Sequence, residues 1–554
     1  MNSGTIKNAG WLWGIALAAA WCFDQLFYDK TPGISFFIIT LIFTGGGLLF
    51  AWREGFRPAR NSLWLLLPVV FFSAMTFVRM EPLTVFVNVM LTLGCMALFA
   101  LSMRSGLWPQ FSLSDDAARL ILLLVGMVWR PVDATFVQKE KAPAPEAGAE
   151  SAALVPAKRA NLLWPVLRGV ALALPILLVL GGLLASADPI FKEQVRSLLT
   201  WFDIKRLGEY IFRGVYICFV AYALAGVYLH SLHTSADTKL IGLDKPWLPP
   251  FLGWIEAVIV LGAVDLLFAL FVGVQVRYFF GGQTNIHIEG YTYATYARQG
   301  FGELIIVAFL SLMLLFSLNT ITRRESAASR RTFSGLSLGL VALVGVILVS
   351  AFMRLNLYET VYGFTRMRTY PHIFMIWVGV LLVVVAGLEV TRRQRAFGLA
   401  LLLVCLGFGL TLNLVSVDNL IVQQNINRTL AGNAEGLSVQ QDGSGSRNGD
   451  GLDENYLMEL SDDAIPLMVN FYEGGNLPAA AQDKLGLALA CMKLNRTASD
   501  QMPWPSFHLA RLQADSALAR IAAGLDEAYP PAKADALSVK HNGKLIHCYY
   551  SYDD

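Results

Sequence analysis

Eleven stretches of about 20 mainly apolar residues dominate this sequence. A helix needs about 20 such residues to cross the hydrocarbon core of a bilayer, and it satisfies its own backbone polar groups there. The pattern therefore predicts an all-α fold class: a polytopic α-helical membrane protein with about eleven transmembrane helices. The predicted spans cover residues 9–28, 33–52, 62–79, 82–103, 162–186, 208–232, 251–279, 300–320, 333–353, 371–391 and 396–416.

The composition agrees with this class. Hydrophobic residues make up 55% of the 554 residues and charged residues only 15%. A water-soluble protein of this composition lacks the polar groups to cover its surface, whereas lipid solvates an apolar exterior. The net charge of +2 gives no reason to expect a nucleic-acid partner, and the lipid bilayer is the partner that the composition predicts.

Arginine clusters follow every second apolar run. Arg53, Arg57 and Arg60 follow the second run, and similar clusters follow the eighth and the tenth. Basic residues near span ends are retained in the cytoplasm, so the pattern predicts a cytoplasmic N-terminus and an extracytoplasmic C-terminus. The stretch 117–129 is too short for a span, and counting it as one would place the later clusters outside. We expect it to form an amphipathic helix in the membrane interface.

The positions of the spans and of two polar, Gly- or Ala/Pro-rich segments predict four parts of the chain. Residues 1–110 form an N-terminal four-helix membrane module, and 111–161 an interfacial helix with a flexible cytoplasmic linker. Residues 162–416 form a seven-helix membrane core, and 417–554 an extracytoplasmic, mainly helical domain with a flexible loop over 432–451.

The C-terminal domain carries its own start and turn signals. Asp453 opens one helical segment, and Ser461 stands at an N-cap position before the next. Asn542-Gly543 predicts a hairpin near the end of the chain. Cys491 and Cys548 lie in this domain, and they can form a disulfide if it faces an oxidising compartment.

Ionisable residues inside apolar runs mark a candidate intramembrane polar site. Such groups cost roughly 2.5 kcal/mol or more at mid-bilayer, so each needs a partner or a water-filled path. Three interpretations are open: pairing between helices that fixes packing, proton and substrate handling, or side chains that face lipid and extend to the interface. Glu209 and Arg213 are four residues apart and can pair with each other. The candidate residues are Glu256, Asp265, Glu303, Glu209 and Arg213.

Tyrosines and arginines cluster where two predicted loops meet the outer face. Tyrosines at this depth are typical of an aromatic belt. Interleaved arginines also suggest a cleft that holds an anionic head group through forked guanidinium contacts. The candidate residues of this outer-face cluster are Tyr293, Tyr296, Arg298, Arg354, Tyr358, Tyr362 and Arg366.

The same segments carry a family resemblance. The strings at 296–304 and 354–368, followed by Asn425, Asn427 and Arg428 and by a motif over 452–466, resemble an uncharacterised bacterial membrane family, domain of unknown function 4173. The resemblance covers about 160–470, with an insertion at 432–450. It implies a multi-pass protein of the bacterial inner (plasma) membrane, and it implies no activity.

Three function classes fit these observations. Transport, or the handling of a lipid or envelope component, is the first, because buried charges are costly to keep. A non-catalytic sensor or scaffold whose C-terminal domain binds an envelope partner is the alternative. A membrane-embedded transferase is the third, with Glu289 or Glu359 as base. No metal or cofactor motif is present, so the sequence favours a protein that is not an enzyme, and it specifies no oligomeric state.

Overall fold

The structure is a computed structural model. It describes residues 9–136, 207–238, 240, 251–280, 301–323, 326–435, 452–498, 502–533 and 536–548. The helices of the membrane part are α1 (Ala9–Phe27), α2 (Ile34–Arg53), α3 (Arg60–Leu63), α4 (Leu66–Val78), α5 (Pro82–Ser102), α6 (Leu113–Phe136), α7 (Leu207–His233), α8 (Trp254–Phe280), α9 (Phe301–Ile321), α10 (Ala327–Tyr362), α11 (Arg366–Val390) and α12 (Phe397–Val415).

Nine helical segments of the described chain are long and apolar enough to cross a membrane. They are α2, the joined segment Arg60–Val78, α5, and the six helices α7 to α12. The all-α polytopic prediction is therefore confirmed. Helix α1 covers the first predicted span. Asp24 and Gln25 near its end lower its mean hydropathy, and it is not among these nine segments. The predicted span 162–186 lies outside the described residues.

Helix α6 is longer than the predicted interfacial segment 117–129. It begins just after Ser112, whose backbone N–H donates to Asp115 Oδ2 at 3.0 Å while its hydroxyl accepts from the Asp115 N–H at 3.3 Å. This reciprocal pair satisfies donors of the first turn. The helix packs closely on α7, because a Cβ at Gly226 would lie 2.4 Å from the Met127 carbonyl oxygen. Its place in the interface stays a prediction.

Contacts between loops sort the helix ends onto two faces of the membrane part. On one face, the Ala59 N–H donates to Met103 O, Ser105 N–H to Ser235 O, and Arg395 lies 3.3 Å from Asp115. The loops that carry Arg53, Arg57 and Arg60 and Arg392, Arg393 and Arg395 belong to this face. The opposite face carries residues 28–33, 79–81 and 363–365, and the C-terminal domain contacts all three segments.

The C-terminal domain is a small helical unit with a three-stranded sheet. Its helices are α13 (Val417–Glu435), α14 (Glu454–Glu459), α15 (Ile465–Gly474), α16 (Ala479–Ala498) and α17 (Leu509–Ala528). The antiparallel sheet has the order β1 (Pro531–Lys533), β2 (Ala536–His541), β3 (Lys544–His547). Asn542 and Gly543 join β2 to β3 with φ of 48° and 75°, as a two-residue hairpin turn requires.

Helix α13 links the two parts of the molecule. Val417 and Ile421 pack with Ile373 and Leu412 of the membrane part, whereas Val422 and Ile426 belong to the core of the C-terminal domain. One helix thus contributes to both cores. Cys491 of α16 and Cys548 after β3 form a disulfide that ties the sheet to the same domain core.

Candidate functional site

A group of buried charged side chains lies where the C-terminal domain meets the membrane part. We call this group the polar junction. It consists of Arg79, Glu81, Arg366, Asp418, Ser461 and Asp463. The residues come from the loop before α5, from the start of α11 and from the C-terminal domain, so they assemble only in the folded chain.

Arg366 and Asp418 form the centre of the polar junction. Arg366 is the first residue of α11, and its Nε and Nη2 donate to Asp418 Oδ1 and Oδ2 at 2.7 and 2.5 Å. The Asp418 side chain is fully buried, whereas Arg366 is partly buried. Ser461 of the C-terminal domain donates to the same carboxylate from its backbone N–H at 2.8 Å and its hydroxyl at 2.6 Å. Forked, charge-assisted contacts of this kind are the strong ones.

The positions of these two residues depend on the chain turns beside them. Gly363 has φ +80°, and a Cβ there would lie 2.9 Å from Asn425 Oδ1. Asn425 accepts from the Phe364 N–H at 2.8 Å and donates to Phe364 O at 2.9 Å, which fixes the segment before α11. Ser416, with φ +50°, ends α12 and lets the chain turn into α13, where Asp418 lies in the first turn.

Ser461 departs from its predicted role. It does stand before the short helical turn Asp462–Ala464, but its side chain makes no capping bond. The hydroxyl donates to Asp418 Oδ2 at 2.6 Å and lies 3.3 Å from Asp463 Oδ2, so the side chain contributes to the polar junction. Asp453, in contrast, accepts from the N–H groups of Asn455 and Tyr456 and caps α14.

Glu81 is the second carboxylate of the polar junction and is fully buried. It precedes α5 and accepts from the Thr84 hydroxyl at 2.8 Å, from the Ser416 hydroxyl at 3.1 Å and from the Asp418 N–H at 3.0 Å. Among the described residues it makes no ion pair. Burial, and next the charge of Asp418, raise the pKa of Glu81 to about 7.

Asp463 is the third carboxylate. It accepts from the Met80 N–H at 2.7 Å, and Arg79 Nη1 lies 3.4 Å from it. Burial raises the pKa of Asp463, while the Met80 N–H and Arg79 lower it. Arg79 also donates to Asn413 O at 2.5 Å. These contacts connect the loop before α5 to the C-terminal domain and to the end of α12.

A polar stripe continues from the polar junction into the membrane part. Thr84, Asn88 and Thr92 follow Glu81 at three- and four-residue steps along α5, and all are buried. Asn88 and Asn413 of α12 exchange two amide hydrogen bonds, at 3.0 and 2.6 Å. Hydrogen bonds between spans of this kind join helices in lipid.

A second buried pair lies on the neighbouring helices α10 and α11. His372 Nδ1 is 2.8 Å from Glu359 Oε2, and only 2% of the Glu359 side chain is exposed. The edge of Phe352 covers the imidazole, with ring centroids 4.4 Å apart. Among the described residues no group hydrogen-bonds Glu359 Oε1 or His372 Nε2. The pair is therefore a protonatable group inside the membrane part.

Replacing Glu359 by Ala tests how far this pair holds α10 against α11. The variant leaves the buried Nδ1 of His372 without its partner, which costs about 1–3 kcal/mol. We expect a lower unfolding temperature in detergent. Glu303→Ala, at an exposed position in the first turn of α9, is the matched control and should change the unfolding temperature little. Equal unfolding temperatures for the two variants would contradict the role given to the pair.

Comparison with known protein families gives one match. The family described as domain of unknown function DUF4153 matches residues 66–471, which is more than half of the chain. The chain belongs to the DUF4153 family. The sequence motifs pointed to an uncharacterised family, which is confirmed, but the family number differs from the 4173 that they suggested. Neither a curated protein nor a solved structure matches this chain.

The extent of the match bears on the polar junction. The matched region of DUF4153 begins at the first residue of α4 and ends within α15, so it includes every residue of the polar junction. It contains both the membrane helices from α4 onward and the first part of the C-terminal domain. The family unit thus crosses the boundary at residue 417 that the sequence predicted between two domains.

The structure places the predicted intramembrane residues at separate locations. Arg213 pairs with Asp24 of α1 and, at 3.7 Å, with Glu209. Three further candidates were Glu256, Asp265 and Glu303.

Glu256 accepts from the Gly253 N–H at the start of α8, and Glu303 is exposed in the first turn of α9. Asp265 faces Gly339 of α10 in the middle of α8, about 13 Å along the axis from Glu256. These residues make separate contacts at separate positions in the described part of the chain.

The predicted outer-face cluster is partly described. Tyr293, Tyr296 and Arg298 lie outside the described residues. The rings of Tyr358 and Tyr362 are 5.1 Å apart, and Arg368 lies over Tyr358 at 4.1 Å.

Arg354 lies on α10 one turn before Tyr358. Arg366 directs its guanidinium fork at Asp418 rather than outward. Among the described residues no group of three or more His, Cys, Asp or Glu side chains is arranged to hold a metal ion.

Proposed function

We propose that this DUF4153 protein is a non-catalytic membrane sensor or scaffold whose C-terminal domain binds a component of the cell envelope. The polar junction carries this proposal. A domain that was only tethered would need no buried carboxylates at its contact with the spans, since burying charges is costly. Here Asp418, Glu81 and Asp463 connect the domain to the starts of α5 and α11. A partner bound to the domain would therefore act on the spans directly.

We infer the orientation of the protein in the membrane from the loops that lie on each of its two faces. The arginine-rich loops lie on the face opposite to the C-terminal domain. Because basic loops stay in the cytoplasm, we place that face and the N-terminus inside a bacterial inner membrane, and the C-terminal domain outside. The disulfide Cys491–Cys548 supports this placement, since disulfides persist in oxidising compartments.

Thiol labelling tests the placement. In whole cells denatured without reductant, a maleimide mass tag should reach neither Cys491 nor Cys548, and reduction before labelling should add both tags. The four remaining cysteines, Cys22, Cys95, Cys218 and Cys405, are replaced by Ser or Ala so that only this pair reports. Labelling of both cysteines before reduction would contradict an oxidising compartment.

Transport remains a second candidate because of one observation. Glu359 and His372 form a protonatable pair inside the membrane part, and one atom of each is buried without a partner among the described residues. Ionisable groups within spans commonly serve proton or substrate paths. The scattered positions of Glu256, Asp265 and Glu303 favour pairing and packing over one shared path.

Complementation of a strain that lacks the chromosomal copy separates the two candidates, because each predicts that different variants lose function. A sensor or scaffold should lose complementation on truncation after residue 431, whereas Asp265→Asn and His372→Gln should complement. A transporter should show the reverse order. Immunoblots of membrane fractions establish that each variant is inserted, and the reverse order in inserted variants would overturn the proposal.

A further inference from the structure

A short loop of the C-terminal domain has large apolar side chains that are exposed on the surface of the protein. We call residues 502–507 the interfacial loop. Trp504 is 66% exposed, Met502 42% and Phe507 39%. Exposed apolar side chains grouped in this way mark an interaction site more often than isolated ones do.

The interfacial loop is fixed at the end of a membrane span. The N–H of Ile34, the first residue of α2, donates to Phe507 O at 3.1 Å. The Ser506 hydroxyl donates to Thr31 O at 2.7 Å. A Cβ at Gly33 would lie 2.7 Å from the Ser506 carbonyl carbon, so the two backbones are in close contact. Phe507 therefore lies level with the point where a span enters the lipid.

The backbone of the loop is held in one shape. Pro503 and Pro505 fix their own φ angles, and a helical turn covers Trp504–Ser506. Pro505 and Ser506 are buried, whereas Trp504 between the prolines is not. A rigid loop presents its apolar side chains at little entropic cost, which favours binding.

We propose that the interfacial loop is a membrane-contact site of the C-terminal domain, with the Trp504 and Phe507 side chains seated in the head-group region of the adjacent lipid leaflet. We infer that lipid contacts the loop because the loop is hydrogen-bonded to the end of a membrane span. Leu41 and Leu49 of α2 are exposed on a helix that crosses the membrane, so lipid surrounds the span to which the loop is bonded. Tryptophan favours this depth because its ring is amphipathic. The site adds a lipid contact to the domain and does not depend on the proposed function.

Photo-crosslinking tests the proposal in the full-length protein. Benzoylphenylalanine is introduced at position 504, and the protein is placed in nanodiscs of phosphatidylcholine and phosphatidylglycerol before irradiation. Phe219, 70% exposed on the span α7, is the positive control. Leu545, 51% exposed on β3, is the matched apolar control in the C-terminal domain.

We expect a lipid adduct at position 504 in a yield comparable to that at position 219 and several-fold above that at position 545. A yield at position 504 equal to that at position 545, with a normal yield at 219, would overturn the proposal. In native membranes, a protein adduct at position 504 in place of the lipid adduct would overturn it in favour of a protein-docking surface. Retention of the Cys491–Cys548 disulfide in each variant shows that the domain is folded.

Discussion

Replacing Asp418 by Ala should release the C-terminal domain from the membrane part and destabilise the folded chain by about 3–5 kcal/mol. The carboxylate is fully buried and accepts two bonds from Arg366 and two from Ser461. Its removal leaves the partly buried guanidinium of Arg366 without its carboxylate partner. Hydrogen exchange of segment 452–471 and the unfolding temperature in detergent report the loss.

Two further variants show whether the cost comes from the unpaired charge. Asp526→Ala removes an ion pair with Lys493 that is equally short, at 2.6 Å, but the Asp526 side chain is 58% exposed. Exposed pairs contribute about 0–1 kcal/mol, so this control should change little. The double variant Arg366→Met with Asp418→Ala should be more stable than Asp418→Ala alone, because no unpaired guanidinium remains. A double variant that is less stable would contradict this explanation.

The sequence predicted the spans well because span length is a one-dimensional property. An uninterrupted apolar run of about 20 residues needs no knowledge of its neighbours to be recognised. The hairpin at Asn542-Gly543 was recognisable for a similar reason, since both residues tolerate the positive φ that the turn requires. Helix ends were less predictable: α10 extends well beyond the predicted 333–353, from Ala327 to Tyr362.

The polar junction was not predictable, although one of its residues was singled out. Arg366 belonged to the predicted outer-face cluster, but its partner Asp418 is 52 residues away, and no rule of spacing joins them. Glu81 and Asp463 are further apart in sequence. The Asp418 N–H donates to Glu81, and the N–H of Met80, the residue before Glu81, donates to Asp463. Charges at span ends look alike in sequence whether they face water or are buried.

The sequence contains a signal for the Glu359–His372 pair that the sequence analysis did not use. His372 follows Pro371 at the start of a predicted span, where an ionisable residue needs a partner. Glu359 was considered only as a base for a transferase. Both residues lie near the ends of consecutive helices, so antiparallel packing of α10 on α11 brings them together. Pairing ionisable residues across adjacent spans at equal depth would have found them.

The free energy of unfolding should depend on pH through Glu81. Its pKa is about 7 in the folded protein against an ordinary value of 4.5, since burial disfavours the charged form. The folded chain therefore binds the proton more tightly than the unfolded chain does. The contribution of Glu81 to stability is fully present below about pH 4.5, is lost as pH rises through about 7, and amounts to about 3 kcal/mol. The raised pKa of Asp463 acts in the same direction.

Glu81→Gln isolates this contribution, because a glutamine amide resembles the protonated carboxyl and does not titrate. The amide oxygen can accept from the Asp418 N–H and the Ser416 hydroxyl, as Glu81 Oε1 does, and the amide nitrogen can donate to the Thr84 hydroxyl.

The two proteins should be equally stable near pH 4.5, and the variant should be more stable at pH 8 by up to about 3 kcal/mol. Glu473→Gln, which removes a carboxylate 40% exposed beside Arg520, should leave the pH profile close to that of the parent. A Glu81→Gln profile parallel to the parent's would show that the pKa of Glu81 is the same in the folded and unfolded chains, and it would contradict this prediction.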